Sequence, residues 1–167
     1  MALPPLSSRV VCGALAGVVA TAPMTAVMHR LHRGLGGKDR YPLPPREIVS
    51  SIAPQIEDDR ATSITLLAHY LYGASSGAAL ALVIPKPTIA GGITGGLAIW
   101  LVSYMGWIPV FGIMKPANQH PITRNALMTV AHVVWGAAYA LADRDLMSSR
   151  SAFGRGPLKD AINLQAR

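Results

Sequence analysis

Two short stretches hold the side chains best suited to chemistry in an apolar setting. Residues 68–74 read A-H-Y-L-Y-G-A and residues 131–137 read A-H-V-V-W-G-A, each with a histidine, an aromatic and a glycine in the same order. Histidine changes charge near neutral pH, and its neutral ring ligates metals through either nitrogen. Two such rings on separate helices can supply both axial ligands of a b-type haem, with Gly73 and Gly136 leaving room for a flat macrocycle. A haem- or quinone-binding electron-transfer module using His69 and His132 is therefore one expectation. The competing expectation is structural, because buried histidines also hydrogen-bond across helices and bind nothing.

The elements that must position these rings are set by the distribution of charge. The chain is 51% hydrophobic and 14% charged, with a mean hydropathy of +0.35, whereas soluble domains carry about 25% charged residues. No Asp, Glu, Lys or Arg occurs in 10–28, 61–85, 87–114 or 125–142. Roughly 20 apolar residues cross a hydrocarbon core, and a charge at its centre is costly. These windows predict transmembrane helices over 10–28, 62–84, 89–110 and 123–141, after a short tail, 1–9, and before a flexible polar tail, 143–167. The fold class expected is all-α, an integral membrane four-helix bundle whose first partner is the lipid bilayer.

The first window resembles a signal peptide, with Arg9 ahead of the apolar run and a small-residue site at Ala20-Thr21-Ala22. Pro23 just after that site is expected to block the peptidase. The segment therefore reads as a retained helix kinked at Pro23, which neighbouring helices can accommodate.

The connections give the order of packing. P-K-P-T at 85–88 is a tight turn that should make the second and third helices antiparallel neighbours, and the short gap 112–122 should pair the third with the fourth. The first connection is longer, and 41–56 reads as an interfacial segment with a short helix starting at Pro45. Glu47 suits its N-terminus, and Ile48, Val49, Ile52 and Ile56 fall mostly on one face, as on a membrane surface. Gly13 and Gly17 recur as Gly92 and Gly96, and Pro42 as Pro121, at an offset of 79. With the paired histidine stretches, this suggests two tandem helix–loop–helix repeats of the same orientation. Gly13, Gly17, Gly73, Gly77, Gly92, Gly96 and Gly136 are the expected helix-packing positions, within the bundle or along a dimer seam.

Other clusters are weaker. Tyr70, Tyr72, Tyr104 and Trp107 suit an interfacial aromatic belt or a quinone pocket. Tyr41, Arg46, His120 and Arg124 suit either a solvated basic cap or a site for an anionic head group. The net charge of +7 fits basic residues flanking helices, and without a basic run interleaved with aromatics nucleic acid is not an expected partner. Basic residues divide seven against eight between the two sides, so orientation follows only from the cluster after the first helix, which favours a cytoplasmic loop there. Cys12 is the only cysteine and reads as a small buried thiol. No phosphate loop, Gly-x-Ser-x-Gly, His-Glu-x-x-His or CxxC is present. A metal site and a catalytic site are therefore not expected, nor is an acid pair within the helices.

Four stretches carry a resemblance: G-x-x-A-G-V-V-A-T-A-P-M-T at 13–25, Y-P-L-P-P-R-E-I at 41–48, L-L-A-H-Y-x-Y-G-A at 66–74 and R-N-A-L-M-T-V-A-H-V-V-W-G at 124–136. Together they resemble uncharacterised small multi-pass proteins of the bacterial inner membrane, similar to the YagU family. The resemblance implies an inner-membrane bundle and brings no catalytic residues. The function expected is that of a non-enzymatic structural or accessory subunit in a homo-oligomer or a larger membrane complex. A small channel or transporter formed by dimerisation is a further alternative.

Overall fold

A computed structural model describes residues 3–36 and 42–154, with side chains as far as residue 149. Its helices are α1 (Leu6–Arg33), α2 (Pro44–Ile52), α3 (Asp58–Val83), α4 (Ile89–Val102), a single turn α5 (Ile108–Val110) and α6 (Ile122–Gly154). Among the described residues there is no strand. Four stretches, Leu6–Arg33, Asp58–Val83, Ile89–Val110 and Ile122–Ser149, are long and apolar enough to cross a membrane. Large apolar side chains such as Leu67, Leu71, Val102 and Val110 face outward from them, as a surface solvated by acyl chains requires. The protein is an all-α helical bundle.

Glycine decides which helices touch. Gly13 and Gly17 of α1 lie against Gly73 and Gly77 of α3, and Gly92 and Gly96 of α4 lie against Gly136 of α6. All seven glycines expected at packing faces are buried inside the bundle. Each expected repeat thus folds its own small-residue seam, in a register that differs by about one helical turn: Gly17 sits between Gly73 and Gly77, whereas Gly96 sits between His132 and Gly136. The two units join through α1 and α6, which are 39% and 44% buried against 28% for each flanking span. The order across the bundle is therefore α3, α1, α6, α4.

That order corrects the expected hairpin of the second and third helices. The turn at 85–88 joins α3 to α4, but the seams pull α3 onto α1 and α4 onto α6. The flanking pair meets through side chains, with Leu80 against Gly95 and Tyr72 reaching Ser103. Lipid offers no hydrophobic drive between helices, so close backbone approach wins over chain proximity.

Three further features matter. The polar tail expected from 143 begins as helix, since α6 runs to Gly154, and Asp143 on it is only 4% exposed. An acid therefore does lie buried within a helix. Next, α2 packs on the protein through one face. Pro44 and Val49 are buried while Ile52 is 66% exposed, so the helix docks over the end of the bundle against α3. Finally, the third span is broken. Pro109 has no N–H and its ring obstructs the preceding turn; Gly106 leaves helical geometry at φ −111°, ψ −108°, and Ile108 N–H reaches back five residues to the Ser103 carbonyl. The resulting π-turn, Ser103–Trp107, is of the kind that marks functional sites. Pro23, by contrast, is carried inside a continuous α1.

The central seam holds a polar cross-link. Thr21, 1% exposed, donates its Oγ1 proton to the Gly17 carbonyl at 2.8 Å and accepts from Trp135 Nε1 at 3.3 Å. Trp135 stacks on Tyr139 with ring centroids 5.3 Å apart, and Tyr139 donates across α1 to the Gly77 carbonyl at 3.1 Å. Thr21→Val keeps the shape and strands the indole N–H. We expect a loss of about 1 kcal/mol in detergent unfolding, with a shift in tryptophan emission.

Candidate functional site

Because α3 and α4 are held apart while α1 and α6 stay in contact, a cavity forms between the flanking helices, floored by the central pair and closed over by α2. Its volume is about 230 Å³. Thr21 and Met24 of α1 with Met128, His132 and Trp135 of α6 make the floor. Thr65, Ala68, His69, Tyr72 and Ser76 of α3 form one wall, and Ile99, Ser103, Tyr104, Trp107 and Ile108 form the other. Pro44, Pro45, Ile48 and Val49 of α2 lie over the end. The π-turn supplies three of those wall residues, so the break in the third span shapes the site.

The structure brings His69 and His132 together on this one cavity. His132 is 8% exposed, and its Nδ1 donates to the Met128 carbonyl at 2.7 Å, one helical turn back. Its Nε2 has no protein partner among the described residues. His69 Nε2 is buried and also without a partner, and its ring meets Tyr70 edge-on at 6.4 Å. Orphaned buried polar atoms are uncommon and call for an explanation. Tyr72 and Trp107 line the cavity rather than serving only as a belt, their rings 6.1 Å apart.

The expected polar cap is not one cluster. Arg124 is buried at 5% exposure, and its Nη2 donates to Glu47 Oε2 at 2.6 Å; it also hydrogen-bonds Tyr104. Arg46, adjacent in sequence to Glu47, turns outward to Asp58 at 2.6 Å. His120 donates through Nε2 to the Lys115 carbonyl, 2.9 Å away, and sits edge-on to Tyr104. Burial first, and the Arg124 charge second, hold the His120 imidazole below its ordinary range. Tyr41 lies outside the described residues. Among the described residues, these side chains tie α2 and the 112–122 connection to the bundle. At the far end, Arg9 donates to the carbonyls of Ala81 and Leu82 at 2.6 and 3.0 Å, capping the negative end of α3.

Sequence reasoning missed several cavity residues: Thr21, Ser76, Ser103 and Trp135. A usable signal existed for Ser103, because Gly106 and Pro109 interrupt an otherwise helical window. The partnership of Glu47 with Arg124 had no local signal at a separation of 77 residues. Among the described residues, no group of three or more His, Cys, Asp or Glu is placed to hold a metal ion. No family model matches the chain, and neither a curated protein nor a solved structure shows significant similarity to it.

Proposed function

We propose that this chain is a non-enzymatic binding module of the bacterial inner membrane that holds a small aromatic lipophile between its flanking helices. One observation carries the reading: His69 and His132, from the two repeated stretches, line a single apolar cavity and each retains an uncommitted ring nitrogen. Ligand sites are mostly apolar with a few placed polar groups, and this cavity has that make-up.

Size selects among ligands. An apolar cavity of about 150 Å³ admits benzene, and drug-sized pockets begin near 300 Å³. At about 230 Å³ the site suits one substituted ring. A tetrapyrrole carries four such rings, so the volume disfavours haem and favours the quinone-sized alternative. Conduction along the axis of one chain has less support, since Ala16, Ala20, Ala131 and Tyr139 are all 0% exposed and fill it. A place as an accessory subunit of a larger assembly is compatible with ligand binding. Such contacts have to use the leucine- and valine-rich outer faces, because the glycine seams are spent within the bundle.

A brominated alkylbenzene, whose heavy atom quenches indole fluorescence, tests the proposal in nanodiscs. Saturable quenching of Trp107 and Trp135 is expected, and Ser76→Leu, which fills the cavity, should abolish saturation with little change in unfolding temperature. Quenching that rises linearly with probe in both proteins would sink the proposal.

A further inference from the structure

The hydrogen-bonding state of the cavity wall specifies more than size, and it rests on the binding reading above. His132 Nδ1 sits 2.7 Å from the Met128 carbonyl, which can only accept. The proton of the neutral ring is therefore on Nδ1, and Nε2 is left as a bare acceptor. Of the six hydroxyls that line the cavity, four have committed their protons. Thr21 donates to the Gly17 carbonyl, Thr65 to the Ala61 carbonyl and Ser103 to the Ile99 carbonyl. Tyr72 lies 2.6 Å from Ser103 Oγ, and since the one serine proton is already used, Tyr72 is the donor of that pair. Around the floor the protein thus presents lone pairs. His69 differs: no hydrogen bond among the described residues fixes its tautomer, so its buried Nε2 can serve as donor or acceptor.

From this pattern we infer that the cavity selects an aromatic ring bearing a free hydroxyl, the chemistry of a phenol or of a hydroquinone, with the hydroxyl donating to His132 Nε2. At His132 the corresponding ether or ketone sets lone pairs against a lone pair, which leaves that acceptor unmatched. Discrimination of this kind, between a ligand with the donor and one without it, exceeds what a purely apolar pocket achieves. For a hydroquinone, His69 accommodates the second oxygen in either state of protonation. The selectivity for the reduced, hydroxylated form therefore resides at His132.

The test uses displacement of the brominated probe from the full-length protein in nanodiscs. The competitors are 4-propylphenol and its methyl ether 4-propylanisole, then durohydroquinone and duroquinone. The phenol should displace the probe about tenfold more effectively than the ether, and His132→Leu should remove that ratio while the probe still binds. If durohydroquinone then outcompetes 4-propylphenol, the second oxygen is also read; equal competition confines recognition to a single hydroxyl, and either result agrees with the inference. A second readout covers a His132→Leu protein that does not fold. The His132 Nε2 nitrogen resonance of the wild-type protein should move on adding the phenol and stay in place with the ether. Equal displacement by phenol and ether, or a ratio that survives His132→Leu, overturns the inference while leaving ring binding intact. Failure of every ring, the brominated probe included, removes the binding reading itself.

Discussion

Alanine at Gly136 should destabilise the bundle by about 3 kcal/mol, although glycine to alanine inside an ordinary helix is favourable by about 1 kcal/mol. The sign reverses because a methyl here lands 2.7 Å from Ile93 Cα and still closer to the Gly92 carbonyl. Backbone cannot rotate away as a side chain can, so α4 and α6 have to separate along their whole seam, and dispersion between them falls off steeply with the gap. Overpacking of this kind commonly costs 1–3 kcal/mol. Gly13→Ala opens the other seam in the same way, its methyl falling 2.7 Å from the Gly77 carbonyl. Gly36→Ala, with nothing within 4 Å, is the control and should be neutral. Chemical unfolding in mixed micelles measures all three. Because the two seams share no partner, Gly13→Ala and Gly136→Ala should add within about 0.5 kcal/mol. A neutral or stabilising Gly136→Ala contradicts the seam.

These seams show what was legible in the chain and what was not. The absence of charge from four windows was enough for the spans, because burying an ion in hydrocarbon is a large and local penalty. The glycines were legible as contact faces for the same reason: only their lack of a Cβ allows backbones to approach. Which face meets which was not legible, since one small-residue stripe fits another equally well, and the turn at 85–88 pointed to the wrong partner. The histidines were found from their repeated context, but their common cavity depends on the separation of α3 from α4. That separation follows from pairing and not from composition. Ser103 and Tyr104 join the site because Gly106 and Pro109 break a helix that hydropathy alone reads as continuous. Asp143 was set aside with the polar tail because charge at a helix end carries no mark of whether a neighbour covers it.

Removing Glu47 should cost more than removing Arg124, although they are partners in one 2.6 Å ion pair. Arg124 is 5% exposed and Glu47 is 34% exposed, so the two deletions leave different groups behind. In Glu47→Ala a guanidinium stays buried, with Tyr104 and Met114 Sδ beside it and no carboxylate to balance its charge. Stranding a buried charge costs roughly 3–5 kcal/mol, and we expect about 3 kcal/mol here because Tyr104 retains part of the bonding. In Arg124→Met the carboxylate left behind can hydrate at its exposed edge and a similar volume is kept, so about 1 kcal/mol is expected. The double variant Glu47→Leu/Arg124→Met should recover most of the loss, since an apolar pair of matching volume often replaces a buried ion pair without penalty. The effect should be local before it is global. A helix of nine residues is not stable alone, and its other anchors are Pro44, Ile48, Val49 and the exposed Arg46–Asp58 pair. Limited proteolysis of Glu47→Ala should therefore cut in the 42–57 connection at mild denaturant, while the four spans remain intact. The same variant should weaken retention of the brominated probe, because α2 closes the cavity over His69 and His132. Cleavage within α3 or α6 at the same denaturant concentration as in α2 would mean that the ion pair supports the whole bundle and not its lid.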